Sequence, residues 1–115
     1  MSLTKIYKIE LNDNQFGEMG PLIILNKLKA TSSLKEISFQ TCEITPNLLT
    51  SISQILKDCK NLEYIDLRNN SFPDQQIKDF CNKLKNSNIT IIFSKDKLSA
   101  NANKIIGEFK NIKLE

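Results

Sequence analysis

Apolar and polar residues alternate through residues 62–72, which read Leu-Glu-Tyr-Ile-Asp-Leu-Arg-Asn-Asn-Ser-Phe. Apolar side chains fill the first, fourth, sixth and eleventh places, and Asn fills the ninth. The alternation predicts a short strand with one buried side. The Asn then turns the chain, and the Phe carries it back over the core. Moving the pattern back by 28 residues lands on Leu34, Ile37, Phe39, Cys42 and Ile44. Another 28 lands on Ile6, Ile9, Leu11, Asn14 and Phe16. Asn or Cys at the ninth place can hydrogen-bond inside the turn while buried. Between the strands, Ile24, Ile52 and Phe80 form one column, and Leu28, Leu56 and Leu84 another four residues further on. That spacing sets both columns on one helix face. Helices are predicted over 18–29, 46–58 and 74–85. Thr45 caps ahead of Pro46, and Asp74 follows Pro73 at the start of the third helix.

Beyond Lys85 the register shortens by two, and Asn88, Ile91, Phe93, Asp96 and Leu98 give a fourth, weaker copy. Ser99 or Asn101 then caps a short helix containing Ile105 and Ile106. Phe109, Ile112 and Leu114 repeat the first, fourth and sixth places as a half-repeat that closes the stack. No linker interrupts the pattern. The chain is therefore expected to be one domain over 1–115, with repeats starting near Ile6, Leu34, Leu62 and Asn88 and a half-repeat from Phe109. The columns Ile9/Ile37/Ile65, Leu11/Phe39/Leu67 and Ile24/Ile52/Phe80 are the expected core, buried by stacked neighbours because no unit covers its own face.

A period of 28, a helix between strands and Asn or Cys at the ninth place resemble the ribonuclease-inhibitor-like class of leucine-rich repeats. The stretch over residues 56–70 is closest to that class. The resemblance implies an α/β fold: a right-handed β-α solenoid of about four parallel strands plus a terminal half-repeat, with helices on the convex side. Family members include nuclease inhibitors, innate-immune receptors, actin-end cappers, activators of GTP hydrolysis by small GTPases and effectors secreted by intracellular bacteria. Most hold another protein on the concave sheet. Many have far more repeats than this chain, so extensive wrapping of a partner is not expected here.

Composition narrows the chemistry. The net charge is +3, from sixteen basic and thirteen acidic residues without a block of like charge, and Arg68 is the sole Arg. Nucleic-acid binders concentrate their basic residues on a stripe, so no specific nucleic acid is expected. The longest wholly apolar run, residues 22–25, is far short of a membrane span. With no signal peptide in the pattern either, the chain is expected in the cytoplasm, made there or delivered as an effector. Cys42, Cys59 and Cys81 are widely spaced and His is absent, which leaves no zinc ligand set and no Cys–His nucleophile. No glycine-rich phosphate loop or pocketed carboxylate pair stands out. No cofactor and no enzyme activity are expected.

The strand pattern points the second, third, fifth, seventh and eighth places outward, and parallel strands stack them about 5 Å apart into rows. Tyr64 and Arg68 are residue types favoured as binding anchors. Ile89 and Ile92 would add apolar surface beside them, rimmed by charges such as Glu36 and Asp66, as at a protein-docking site. Packing of the two isoleucines beneath the chain end, or against residues outside this sequence, is the competing reading. Lys29, Lys57 and Lys85 recur every 28 residues after the helical Leu column, where they favour the helix dipole. The leading expectation is a non-catalytic protein–protein interaction module. Two alternatives stay open: a regulator of a small GTPase or other enzyme using Arg68, and a structural subunit or excerpt whose open ends allow end-to-end self-association.

Overall fold

A computed structural model describes residues 7–13, 19–28, 33–42, 44–59 and 61–115. Strands and helices alternate: β1 (Lys8–Glu10), α1 (Met19–Leu28), β2 (Glu36–Ser38), α2 (Pro46–Leu56), β3 (Tyr64–Asp66), α3 (Asp74–Leu84) and β4 (Thr90–Phe93). A 3₁₀ turn (Lys95–Lys97), α4 (Ala100–Ile106) and β5 (Ile112–Leu114) follow. The five strands form one sheet in chain order, every neighbouring pair parallel. Each helix packs on the next in chain order. The fold is thus an α/β stack of repeated β-α units, as the 28-residue pattern requires.

The register is the one the apolar columns predict. Ile9 pairs with Ile37, Ile37 with Ile65, Ile65 with Ile91, and Ile91 with Ile112, so the shortened fourth unit and the half-repeat stay in phase. Ile37, Phe39, Ile52, Ile65, Leu67 and Phe80 are fully buried. Ile9, Leu11 and Ile24, the first members of their columns, are only partly buried because their unit stands at one end of the stack. Phe93 sits edge-on to both Phe72 and Phe80, with ring centroids 5.9 and 5.7 Å away. These two contacts carry the core into the fourth unit. The three cysteines are buried, and burial pushes the Cys81 thiol up to about 12.

The turn after each of the first three strands is where the repeat is most exact. Asp13, Thr41 and Asn69 occupy the eighth place of successive units, and each has a left-handed backbone, with φ of 61°, 55° and 60°. At the ninth place Asn70 is buried. Its Nδ2 donates to the carbonyls of Phe39 (2.9 Å), Leu67 (3.1 Å) and Arg68 (3.2 Å), and its Oδ1 accepts from the N–H groups of Cys42 (3.1 Å) and Ile44 (3.3 Å). One unit earlier Cys42 does part of the same work, its thiol donating to Leu11 O (3.0 Å) and Gln40 O (3.4 Å). Asn14 and Phe16 fall outside the described residues, as do Ile6 and Lys29.

Two expectations need correction. Asp96 does not take the buried ninth place but is exposed in the 3₁₀ turn. A carboxylate has no N–H to offer the turn carbonyls, and burying its charge there would be costly. Asp74 begins α3 behind Pro73, as its position predicts. Its carboxylate accepts from Ser99 and Asn101, which holds it below the usual range and ties α3 to α4, itself capped by Ser99. Asn88 is exposed at the first place of the fourth unit, and Ile89 fills the hole that Leu34 and Leu62 fill elsewhere. Thr45, by contrast, caps α2 as its position predicts, accepting from Leu48 N–H at 3.2 Å. Lys57 and Lys85 sit at the C-caps of α2 and α3, on the favourable end of each dipole.

Two stability effects follow from this packing. Leu67→Ala, at a side chain with no exposure, should cost about 2–5 kcal/mol in urea unfolding. Thr41 is β-branched with a left-handed backbone, which is unfavourable, whereas Asn tolerates that conformation. Thr41→Asn should therefore stabilise by about 1 kcal/mol and raise the melting temperature.

Candidate functional site

The outward strand residues form three rows across the sheet. The third-place row is Lys8, Glu36, Tyr64 and Thr90, and the fifth-place row is Glu10, Ser38, Asp66, Ile92 and Lys113. The seventh place supplies Asn12, Gln40, Arg68, Ser94 and Glu115. An open groove of about 340 Å³ lies over these rows, lined by Lys8, Glu10, Glu36, Tyr64, Asp66 and Arg68 among others.

A polar chain runs under the groove across the sheet. Asn12 Oδ1 accepts from Ser38 Oγ and, at 2.8 Å, from Gln40 N–H. Gln40 Nε2 donates to Asp66 Oδ2 at 2.8 Å. Asp66 also receives Arg68 N–H (3.0 Å), Nε (3.0 Å) and Nη2 (2.7 Å). Arg68 Nη1 reaches on to Glu115 Oε2 at 2.8 Å, beyond β5. The Asp66 side chain is only 4% exposed, so its charge depends on that guanidinium. The same hydrogen bond holds the Arg68 guanidinium above its ordinary value.

The six residues singled out from the sequence therefore separate. Glu36 and Tyr64 stand side by side on β2 and β3, both half-buried and open to the groove. Burial, and then the Asp66 carboxylate, push the Tyr64 phenol up, so it stays neutral and available as a donor at neutral pH. Asp66 and Arg68 line the groove but are engaged with each other. Ile89 and Ile92 are not exposed surface: they are 3% and 4% exposed. Ile89 joins the core cluster. Ile92 lies between Asp66 and Lys113, and the Arg68 guanidinium held between Asp66 and Glu115 spans its strand. Neither isoleucine adds apolar surface to the groove: Ile89 belongs to the core, and Ile92 is buried within the sheet between its neighbours.

Lys8 bridges Glu10 at 3.1 Å and Glu36 at 3.8 Å, and Lys35 bridges Glu63 at 3.2 Å. These pairs are well exposed, so they contribute little and exchange readily with other partners. Glu115 and Gln40 were not among the candidates. Extending the seventh-place row into the half-repeat would have found Glu115, opposite in charge to Arg68. Among the described residues no group of acidic and cysteine side chains could hold a metal ion, and no helix is long and apolar enough to cross a membrane.

No protein-family model matches the chain. A mouse protein, NACHT, LRR and PYD domains-containing protein 5, is 27% identical over 89 residues, which cover 76% of this chain and 8% of the relative. The chain thus spans a small part of that relative's length. The likeness is weak and points to repeats of the leucine-rich type.

The engagement of Arg68 has a measurable consequence. Arg68→Ala should lower stability by about 2 kcal/mol, because Asp66 keeps a buried charge without its cation. Adding Asp66→Asn should recover most of that loss, which a double-mutant cycle in urea would read as a positive coupling.

Proposed function

We propose that residues 1–115 form a leucine-rich-repeat domain of the ribonuclease-inhibitor-like class, acting as a non-catalytic module that binds a partner protein on its strand face. The proposed contact set is Glu36 and Tyr64, with Asp66 and Arg68 as the rigid floor beneath them. The observation that carries the reading is Tyr64, an aromatic with a polar tip, half-exposed in an open groove above a hydrogen-bonded network. Anchors of this kind bind well because little side-chain freedom is lost on docking. The exposed Lys8–Glu10–Glu36 pairs beside it give a rim whose charges can be re-paired across an interface. The proposed setting is the cytoplasm, of the producing cell or of a host.

Use of Arg68 as a side chain donated to a GTPase is disfavoured. Three of its guanidinium nitrogens already bond Asp66 and Glu115, and withdrawing it would strand the buried Asp66 carboxylate. The two readings separate in one set of assays. Tyr64→Ala combined with Glu36→Lys should abolish capture of the partner that the wild-type chain retains on a column, while leaving the melting temperature within a few degrees. A partner retained equally by wild type and variant would move the site off the strand face. Stimulated GTP hydrolysis lost in Arg68→Lys would instead establish the enzyme-regulator role.

A further inference from the structure

Among the described residues both ends of the sheet are open, and they match each other. β1 and β5 are edge strands, and among the described residues nothing pairs with the outer side of either. Such edges present unpaired N–H and C=O groups and recruit further strands. The end behind β1 is also apolar: Ile9, Leu11, Leu22 and Ile24 are only partly buried, Ile23 is 51% exposed, and Tyr7 beside the strand is 62% exposed. At the other end Ile105, Phe109 and Leu114 are likewise partly buried.

The geometry points to head-to-tail association of identical chains, with β5 of one copy pairing in parallel with β1 of the next. The contact uses the ends of the sheet rather than its face, and it stands whether or not the face binds a partner.

Three matches select a second copy as the occupant. The first is the backbone. Within the chain, Leu11, Phe39 and Leu67 N–H donate to the carbonyls of Ser38, Asp66 and Ile92 on the following strand, while Glu36, Tyr64 and Thr90 N–H donate back to Tyr7, Lys35 and Glu63. Continuing that pattern past β5 directs Leu114 N–H to Glu10 C=O of the next copy, and Lys8 N–H of the next copy to Lys110 C=O. The second is the core. In that register Ile112 meets Ile9 and Leu114 meets Leu11, so both inner apolar columns continue without a break. The third is charge. The fifth-place row ends in exposed Lys113 on one side and exposed Glu10 on the other, and the junction sets them about 4.8 Å apart by backbone spacing. The second-place row likewise brings Lys110 beside the Tyr7 ring, a cation–π arrangement. A slip of one residue would turn every apolar contact outward, so the register is well specified. Because head and tail are different surfaces, the contact does not close on itself and oligomers grow in steps.

Sedimentation velocity from about 10 µM to about 1 mM tests this, since association of this kind follows mass action. The wild-type chain should pass through dimer to larger species as concentration rises. Glu10→Lys and Lys113→Glu each set like charges across the junction and should weaken association at least tenfold. The double variant restores an opposite pair and should recover it. Glu10 and Lys113 are both exposed, so circular dichroism melts of these variants should match wild type within a few degrees. Leu114→Pro, lacking the N–H that the junction uses, should stay monomeric. A chain that remains monomeric throughout overturns the proposal, as does growth that stops at a dimer. Association indifferent to both charge reversals overturns it as well.

Discussion

The stack depends on one buried side chain. Asn70 meets five backbone groups that belong to two neighbouring turns, and both of its amide atoms are used. The left-handed residue before it bends the chain, and the bend leaves carbonyl and N–H groups pointing into an apolar interior. Groups of that kind must find partners or cost about 1–3 kcal/mol each. An amide has both a donor and an acceptor at the right reach, so Asn fits. Cys42 offers a donor alone and meets two carbonyls. An Asp carboxylate offers no donor, and the fourth unit, whose sequence has Asp96 at that place, forms a 3₁₀ segment instead. Conformation and chemistry at two consecutive places thus decide where the regular stack holds and where it loosens.

The same economy of position shapes the strand face. Parallel pairing sets residues of like place beside one another, so a charge on one unit finds its partner on the next. Glu36 and Tyr64 remain open to solvent, while Asp66 is enclosed by Gln40 and Arg68. Arg68 reaches beyond its own strand to Glu115, past the end of β5. Its structural engagement, rather than any lack of chemical suitability, distinguishes it from Tyr64 as a proposed contact residue. Binding by such a face would need little rearrangement, because the network beneath Tyr64 is already made.

Much of the architecture was legible from spacing. The 28-residue register set the strand pairing, the helix faces and the buried columns, and Thr45 and Ser99 marked two helix starts. The site was less legible. Ile89 and Ile92 alternate as outward residues should, yet both are buried. For Ile89 the cause is local: Asn88 is too polar for the first place, so the next apolar residue takes it. For Ile92 the cause is remote in sequence, since it is flanked by a strand about twenty residues later and by the strand that leads to Arg68. Asp66 is hidden for a related reason.

The sequence by itself determined the repeat, because period and polarity act through local geometry: a strand every 28 residues, a helix between, and a hydrogen-bonding residue at the turn. It also determined that the core would be shared between neighbours, since no single unit has enough apolar surface to bury its own face. Only the tertiary structure decided which outward residues are accessible. Exposure on a sheet depends on side chains contributed by adjacent strands, and long ones such as Arg68 cross strand boundaries that a linear pattern cannot represent.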